Sequence, residues 1–373
     1  MKMSVFKEKP FDHLKRKTGE DFDQSIKDNW YIAREYVLDK LKDIAFRPDS
    51  KAHLEVVVKG DSPQMLSVVR QVALSAHYIN FYEGDDFEQP QNRTVIFLVS
   101  DNPNIKSELK REEYLGNLPD YCKFVNQDST IENNDSFLDI EIHIVKDNLE
   151  TCDLVFSDDG FSAFRASGGD AILGIDTRRA VYASRMYDLG DEINNIPSED
   201  IHCAERYALA LDVFQYEKLK KKPEPMFGNG IYEDMCKVKE KLSNIFCSDC
   251  FKSRAMSIQL MNNGNDSNEW QLWKKNNECL SRSEHVRWVV EKLIMGYRPL
   301  NKKQHFDYES LYFDITKKKQ FLKKLKKDPM NPAHIDICSY RELRRINPED
   351  LKFDSFLMLA IPRILDKENE DEK

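Results

Sequence analysis

The sequence predicts an α/β protein, with a Rossmann-like domain over residues 51–190 and a mainly α-helical C-terminal half. Three observations predict it. A β-branched run, Leu54-Glu55-Val56-Val57-Val58-Lys59, stops at Gly60 and passes into SPQMLSVVRQVALSAH, whose apolar residues fall at helical spacing. Three further apolar runs, YINFYEGDD, RTVIFLVSD and DIEIHIVKD, end in polar or acidic residues with helical stretches between them. Such runs suit a parallel sheet covered on both faces. From about residue 177 the strand pattern gives way to helix formers at three- and four-residue spacing, broken by IPS and PEPMFGNG.

With 373 residues the chain exceeds one compact core, and 40% apolar with 32% charged residues is a globular balance. The expected layout is a helical extension over 1–50, the Rossmann-like domain over 51–190, a helical connector over 191–266, a C-terminal domain over 267–366 and a disordered acidic tail over 367–373. In the extension, Trp30, Ile32, Tyr36, Val37 and Leu41 share a helical stripe that Pro48 and Asp49 stop.

The turn after the first strand is where a Rossmann fold seats a dinucleotide pyrophosphate. Here it reads Lys59-Gly60-Asp61-Ser62-Pro63, and a second strand is expected to end at Glu83, near Asp85 and Asp86, where an acid would hold a ribose hydroxyl. Gly60 and Glu83 are thus candidates for binding NAD or another nucleotide. Asp61 in place of further glycines would repel a pyrophosphate, so a purely structural domain is the other reading, and no cofactor is required. Asp158-Asp159-Gly160, Gly168, Gly169 and Gly174 mark later loops.

A net charge of -9 argues against long nucleic acid as a partner. No run reaches the ~18 to 20 apolar residues of a membrane span, and the N-terminus lacks the apolar core of a secretory signal. Together these predict a cytoplasmic protein. Cys247 and Cys250 form a CxxC, but Cys236 and Cys279 stand alone, so buried reduced thiols are expected rather than a zinc site. Seven lysines between Lys317 and Lys327, around Phe321, Leu322 and Leu325, read as a solvated face or as a contact for phosphate or an anionic surface.

The most distinctive segment is SRSEHVRWVVEKLIMGYRP, residues 281–299. Val286, Val289, Val290, Leu293 and Tyr297 form one helical stripe, closed by Gly296 and Pro299. On the same wheel Glu284, Trp288 and Met295 lie opposite, flanked by His285. A tryptophan off the core stripe needs a domain, a partner or a ligand to cover it.

Glu284-His285-Val286-Arg287-Trp288 and Gly296-Tyr297-Arg298 resemble the opening helix of a ryanodine-receptor-type (RyR) domain. Pro332 to Leu343 resembles that family's His-Pro-x-(Ile/Leu)-x-Pro-Tyr-x-x-Leu segment, with Cys338-Ser339 where a proline is usual. Asp354 and Ile361-Pro362-Arg363-Ile364-Leu365 are similar to its closing pattern, and residues 304–330 look like an insertion. Phe251-Lys252-Ser253-Arg254-Ala255-Met256 resembles the segment preceding RyR domains in bacterial proteins with an N-terminal TrkA-like domain. The resemblance covers roughly residues 245–365.

It implies a sensor of a small, nucleotide-derived ligand, in bacterial signalling or defence, acting through a homo-oligomer or a separately encoded effector. Side chains suited to stacking bases and gripping phosphates gather on these motifs: His285, Arg287, Trp288, Tyr297, Arg298, His334 and Tyr340, with Glu284 on the same turn. The alternatives are a structural or protein-interaction module without a ligand, and an unrecognised nucleotide-processing enzyme. No HExxH, P-loop or GxSxG motif occurs, and no catalytic residue is assigned.

Overall fold

The computed structural model describes residues 7–8, 10–83, 91–146, 152–168, 175–176, 179–180, 183, 238–262, 269–311, 314–348 and 350–371. Asp85, Asp86, Gly169, Gly174, Cys236 and most of the expected connector lie outside them.

A short strand β1 (Lys7–Glu8) and a 3-10 turn (Pro10–His13) precede helix α1 (Gln24–Leu41). Asp23 caps α1 by accepting from the Ser25 amide at 2.8 Å. The expected stripe is present: Trp30, Ile32, Tyr36, Val37 and Leu41 are buried. Strand β2 (Glu55–Lys59) leads into α2 (Pro63–Ser75), whose Ser62 cap accepts from the Met65 amide at 3.2 Å with Pro63 in the first turn. Tyr36 of α1 meets the ring of Phe156 edge-on at 5.1 Å, so residues 1–50 supply a helix that packs into the α/β core.

The other strands of the main sheet are β3 (Thr94–Val99), β4 (Lys123–Val125), β5 (Ile131–Glu132), β6 (Ile140–Val145) and β7 (Leu154–Ser157). Their order is β5-β4-β6-β3-β2-β7, parallel throughout except where β5 pairs with β4. Helix α3 (Ile105–Leu109) follows β3, and α4 (Asp158–Gly168) follows β7. β8 (Ile175–Asp176) pairs antiparallel with β1. This is an α/β fold.

Three expectations change here. YINFYEGDD holds no strand over residues 78–83. Tyr78 and Phe81 instead drop into the main core, and the Asn80 and Asn92 side chains donate to the backbone oxygens of Ala52 (2.8 Å) and Ser50 (2.8 Å). Side-chain hydrogen bonds thus do the work of a ladder. Asp158-Asp159-Gly160 opens α4 rather than a loop, acids being favourable in a first helical turn. The sheet's cover is also uneven. In β3, Thr94, Ile96 and Leu98 are buried whereas Val95, Phe97 and Val99 are half-buried.

The C-terminal half comprises α5 (Val238–Asp249), α6 (Phe251–Gln259), α7 (Glu269–Lys275), α8 (Asn277–Ile294), β9 (Arg298–Pro299), α9 (Lys302–Ser310), α10 (Ile315–Lys326), β10 (Ala333–His334), α11 (Tyr340–Ile346) and α12 (Leu351–Asp371). β9 and β10 pair in parallel, with α9 and α10 as their crossover. Ser339 caps α11 by accepting from the Glu342 amide (3.1 Å). α12 continues to Asp371, through most of the tail expected to be disordered. Charged residues are good helix formers once a packed segment has nucleated the helix.

The valine stripe of α8 enters the same core as the sheet. Val286, Val289, Val290 and Leu293 cluster with Val56, Ile96, Ile142 and Phe156, and Leu242 and Phe246 of α5 belong to the same cluster. Polar contacts also join the halves, and two of them secure the end of α8 and the start of α11. The Asn117 amide donates to the Leu293 carbonyl, and its side chain donates to the carbonyls of Gly296 and Tyr297, each at 2.9 Å. Leu293 stands in the last turn of α8 and Gly296 and Tyr297 just beyond it, so Asn117 secures the chain where it leaves the helix. Glu83 accepts from the amides of Tyr340 (2.6 Å) and Arg341 (3.1 Å) at the start of α11.

Candidate functional site

Helix α8 is enclosed on almost all sides. Beyond the valine stripe, its start packs through Leu280 against Leu357, Met358 and Ile361 of α12. The side of the wheel expected to face away from the core is covered in part: Glu284 is 0% exposed, as is Arg287 beside it, whereas Trp288 and Met295 are half-buried.

A buried charge network runs along this side. The Arg287 Nε and Nη2 donate to Glu284 (2.8–3.0 Å) and Nη1 donates to Glu291 Oε2 at 2.9 Å. Arg254 of α6 places Nη1 2.9 Å from Glu284 Oε2, and Ser243 of α5 donates to Glu291 at 2.9 Å. Burial works to raise the Glu284 carboxyl, but Arg287 and Arg254 outweigh it and bring it down to about 2. Asp354 of α12 is held well above the ordinary carboxyl range, first by burial and then by the Glu284 charge. The two carboxyls are thus moved in opposite directions, Glu284 down and Asp354 up. The network ties α5, α6 and α8 together, and it spends the donors of Arg287.

The neighbouring turn of α8 carries rings. His285 and Trp288 lie 6.2 Å apart between centroids and nearly parallel, at 18°. His334 of β10 meets Trp288 edge-on at 4.9 Å, Tyr340 of α11 lies 5.8 Å from His285, and Tyr297 lies 6.4 Å from His334. The Lys292 ammonium sits 5.3 Å over the Trp288 ring, and the Arg344 guanidinium 5.0 Å over Tyr340. Trp288 stays half-buried while His285, His334 and Tyr340 are buried.

Hydrogen bonds fix the imidazole tautomers. His285 Nε2 lies 2.8 Å from the Cys338 carbonyl, so it carries the hydrogen and Nδ1 faces Asp354, 4.0 Å away. His334 Nδ1 accepts from the Asp336 amide at 3.2 Å. Burial pulls the pKa of His285 below its ordinary value against the Cys338 carbonyl, which favours the charged form. His334 falls well below, through burial and then the charges of Lys326 and Lys292. At neutral pH the cluster presents uncharged rings with cations at its margin.

Five of the eight proposed C-terminal residues thus come together: His285, Trp288, Tyr297, His334 and Tyr340. Glu284 and Arg287 belong to the buried network, and Arg298 is engaged locally with Asn331 (2.8 Å), Gln304 (2.9 Å) and the Pro299 carbonyl (2.9 Å).

Gly60 and Glu83 do not come together. They lie beyond opposite ends of α2, whose 13 residues span about 20 Å at 1.5 Å per residue. Burial raises the Glu83 carboxyl against the hydrogen bonds from Tyr340 and Arg341, and both of its oxygens are engaged by those amides. Gly60 adopts φ +102° at the carboxyl end of β2, where a side chain would meet Asp158 Oδ2 at 3.3 Å. Asp158 accepts from the Ser62 hydroxyl at 2.5 Å, and Asp61 from the Ser100 hydroxyl at 2.6 Å. The crevice where a pyrophosphate would sit therefore holds the chain's own carboxylates.

Cys247 and Cys250 are buried free thiols at the end of α5, and burial pushes the Cys250 thiol up to about 12. Among the described residues no group of three or more His, Cys, Asp and Glu is placed to hold a metal ion. No described helix is long and apolar enough to cross a membrane. Sequence reasoning missed the Arg254–Glu284 pair and the Asn117 latch, because both depend on contacts between distant segments. It could have found the Arg287 pairs, since Glu284 and Glu291 stand three residues before and four after it.

Taken together, fold and site define an α/β protein whose C-terminal helices share its core and gather a cluster of rings around Trp288. Compared with known proteins, the chain matches no family model, no curated protein and no solved structure.

Proposed function

We propose that the C-terminal segments form a RyR-type sensing domain whose site is the ring cluster around Trp288, and that its ligand is a small molecule with a flat aromatic ring, such as a nucleobase. One observation carries the reading: aromatic side chains from α8, β10 and α11, and the residue just before β9, converge on one spot with Lys292 above the half-buried Trp288 face. Base stacking on an aromatic face suits such a surface. The neutral histidines favour hydrogen bonding to a base edge over gripping a phosphate, and the Lys292 ammonium is already paired with Glu291 (2.5 Å). The signal passes to a second copy of the chain or to a separately encoded effector, and bacterial defence is the setting the RyR resemblance suggests.

A second reading, in which the cluster is an internal joint without a ligand, is favoured by the burial of His285 and by the Glu83 latch on α11. Thermal shift of the whole chain against a panel of nucleosides and nucleotides separates the two, because a ligand of the native state raises the melting temperature by mass action. The sensing reading expects a shift with at least one base-containing compound, abolished in Trp288→Ala. The joint reading expects no shift with any compound, and a Trp288→Ala loss of roughly 3 to 5 kcal/mol in stability.

A further inference from the structure

The crossover between β9 and β10 departs in composition from the rest of the chain. Over residues 302–327 it holds nine lysines against Asp307, Glu309 and Asp314, in a protein whose net charge is -9. Its apolar stripe is already used. Leu322 and Leu325 of α10, with Tyr308 of α9, pack on Leu300, Ala333 and Ile335. The outward side of α10 is left with Lys319, Lys323 and Lys324 exposed, Lys327 continues it beyond the helix, and Lys302 and Lys303 are exposed on α9.

Apolar side chains stand among these lysines. Phe306 is 71%, Ile315 67% and Met330 75% exposed, whereas no other exposed large apolar side chain among the described residues exceeds 53%. Three such groups within 25 positions of a lysine-rich segment are costly in water and useless to a merely solvated face.

We propose that this helical pair docks on an anionic lipid surface, its lysines reaching the headgroups and Phe306, Ile315 and Met330 entering the interface. Basic residues alternating with large apolar ones are the chemistry of surface-lying helices, in which charge attracts and apolar area holds. A nucleic acid fits less well. Isoleucine and methionine gain little from phosphates, and a long polyanion extending past the pair would meet a chain that is acidic elsewhere. A bilayer touches only the projecting segment. The proposal is independent of the ring cluster's ligand, although β9 and β10 place the two features side by side.

Flotation of the whole chain with phosphatidylcholine vesicles, with and without phosphatidylserine, tests it. The expected result is binding to the serine-containing vesicles alone, weakening steeply as salt is raised. Lys319→Gln, Lys323→Gln and Lys324→Gln should each cost about fivefold in partitioning. Phe306→Ser with Met330→Ser should cost roughly tenfold while leaving the salt dependence in place. All these side chains are exposed, so the variants should melt with the parent protein. Absence of binding to serine-containing vesicles, or equal binding to both kinds, overturns the proposal. So does tighter binding to a short DNA duplex in a mobility-shift assay. A lysine-dependent dimer in sedimentation, without vesicle binding, would assign the surface to a second copy of the chain instead.

Discussion

The crevice at Gly60 and the ring cluster at Trp288 both occupy positions where a small molecule could be expected, and they are furnished in opposite ways. At the crevice the carboxylates of Asp61 and Asp158 accept hydrogen bonds from Ser100 and Ser62. At the cluster the nearby charges are paired within the interior, and the rings themselves are neutral. A strand-turn-helix in a parallel sheet does not by itself define a nucleotide site, because the groups beside the glycine set the sign of the field. The cluster has no fold-level signature, and its case as a site rests on the meeting of rings from separate segments.

The contrast can be broken most forcefully through the network that supports the cluster. Arg287→Ala would leave Glu284 and Glu291 buried with fewer partners, and a loss of about 3 to 5 kcal/mol in denaturant unfolding is expected. Unchanged stability would mean that the network does not hold α8. Next in size is Trp288→Ala. Its expected effect is a loss of ~1 to 3 kcal/mol in affinity for whichever nucleotide the thermal-shift panel identifies, with a smaller fall in stability than Arg287→Ala produces. His285→Ala should weaken the same binding and leave most of the stability. The reverse ranking, stability lost and affinity kept, would make the cluster a joint.

Acidification gives a subtler measure. Because the fold holds His334 below its ordinary pKa, the native state binds fewer protons than the unfolded chain below about pH 6.5. Stability is retained above that pH and lost as pH falls, by up to about 1.4 kcal/mol per pH unit for each ring kept neutral. His334→Gln should flatten the fall in melting temperature between pH 6.5 and 5. Asp354 acts in the opposite sense. Its raised pKa favours the fold at low pH, and that contribution is lost as pH rises. The smallest effect belongs to the crevice: titration calorimetry with NAD and NADH is expected to show no low-micromolar binding, and Asp158→Asn little change in melting temperature. Low-micromolar affinity that depends on Gly60 would erase the contrast.

What the sequence disclosed follows from which interactions are local. Val56, Val57 and Val58 form the expected strand, Ser62-Pro63 the expected helix start, and Val286 to Leu293 the expected buried stripe. Each is written in neighbouring residues. Glu83 was read as a strand end because its neighbours are aromatic and β-branched. Its role instead depends on the amide of Tyr340, 257 positions away. The ring cluster was half legible. The His285–Trp288 pair is a matter of helical spacing, but its meeting with His334 and Tyr340 is set by a crossover and a turn. The burial of Glu284 and Arg287 was hidden for the same reason, since α6 and α12 cover a face that a single wheel leaves open.

The Asn117 latch also bears on how the chain assembles. Gly116, at φ +53°, has no room for a side chain, which would stand 2.9 Å from the Leu293 carbonyl. The loop that finishes α8 is thus made about 180 positions before the helix it finishes. During synthesis the residues of that loop leave the ribosome long before α8 does, so the contact can form only once α8 has been made. Such a contact closes a loop of about 180 positions, and the entropic cost of closing a loop grows only slowly with its length.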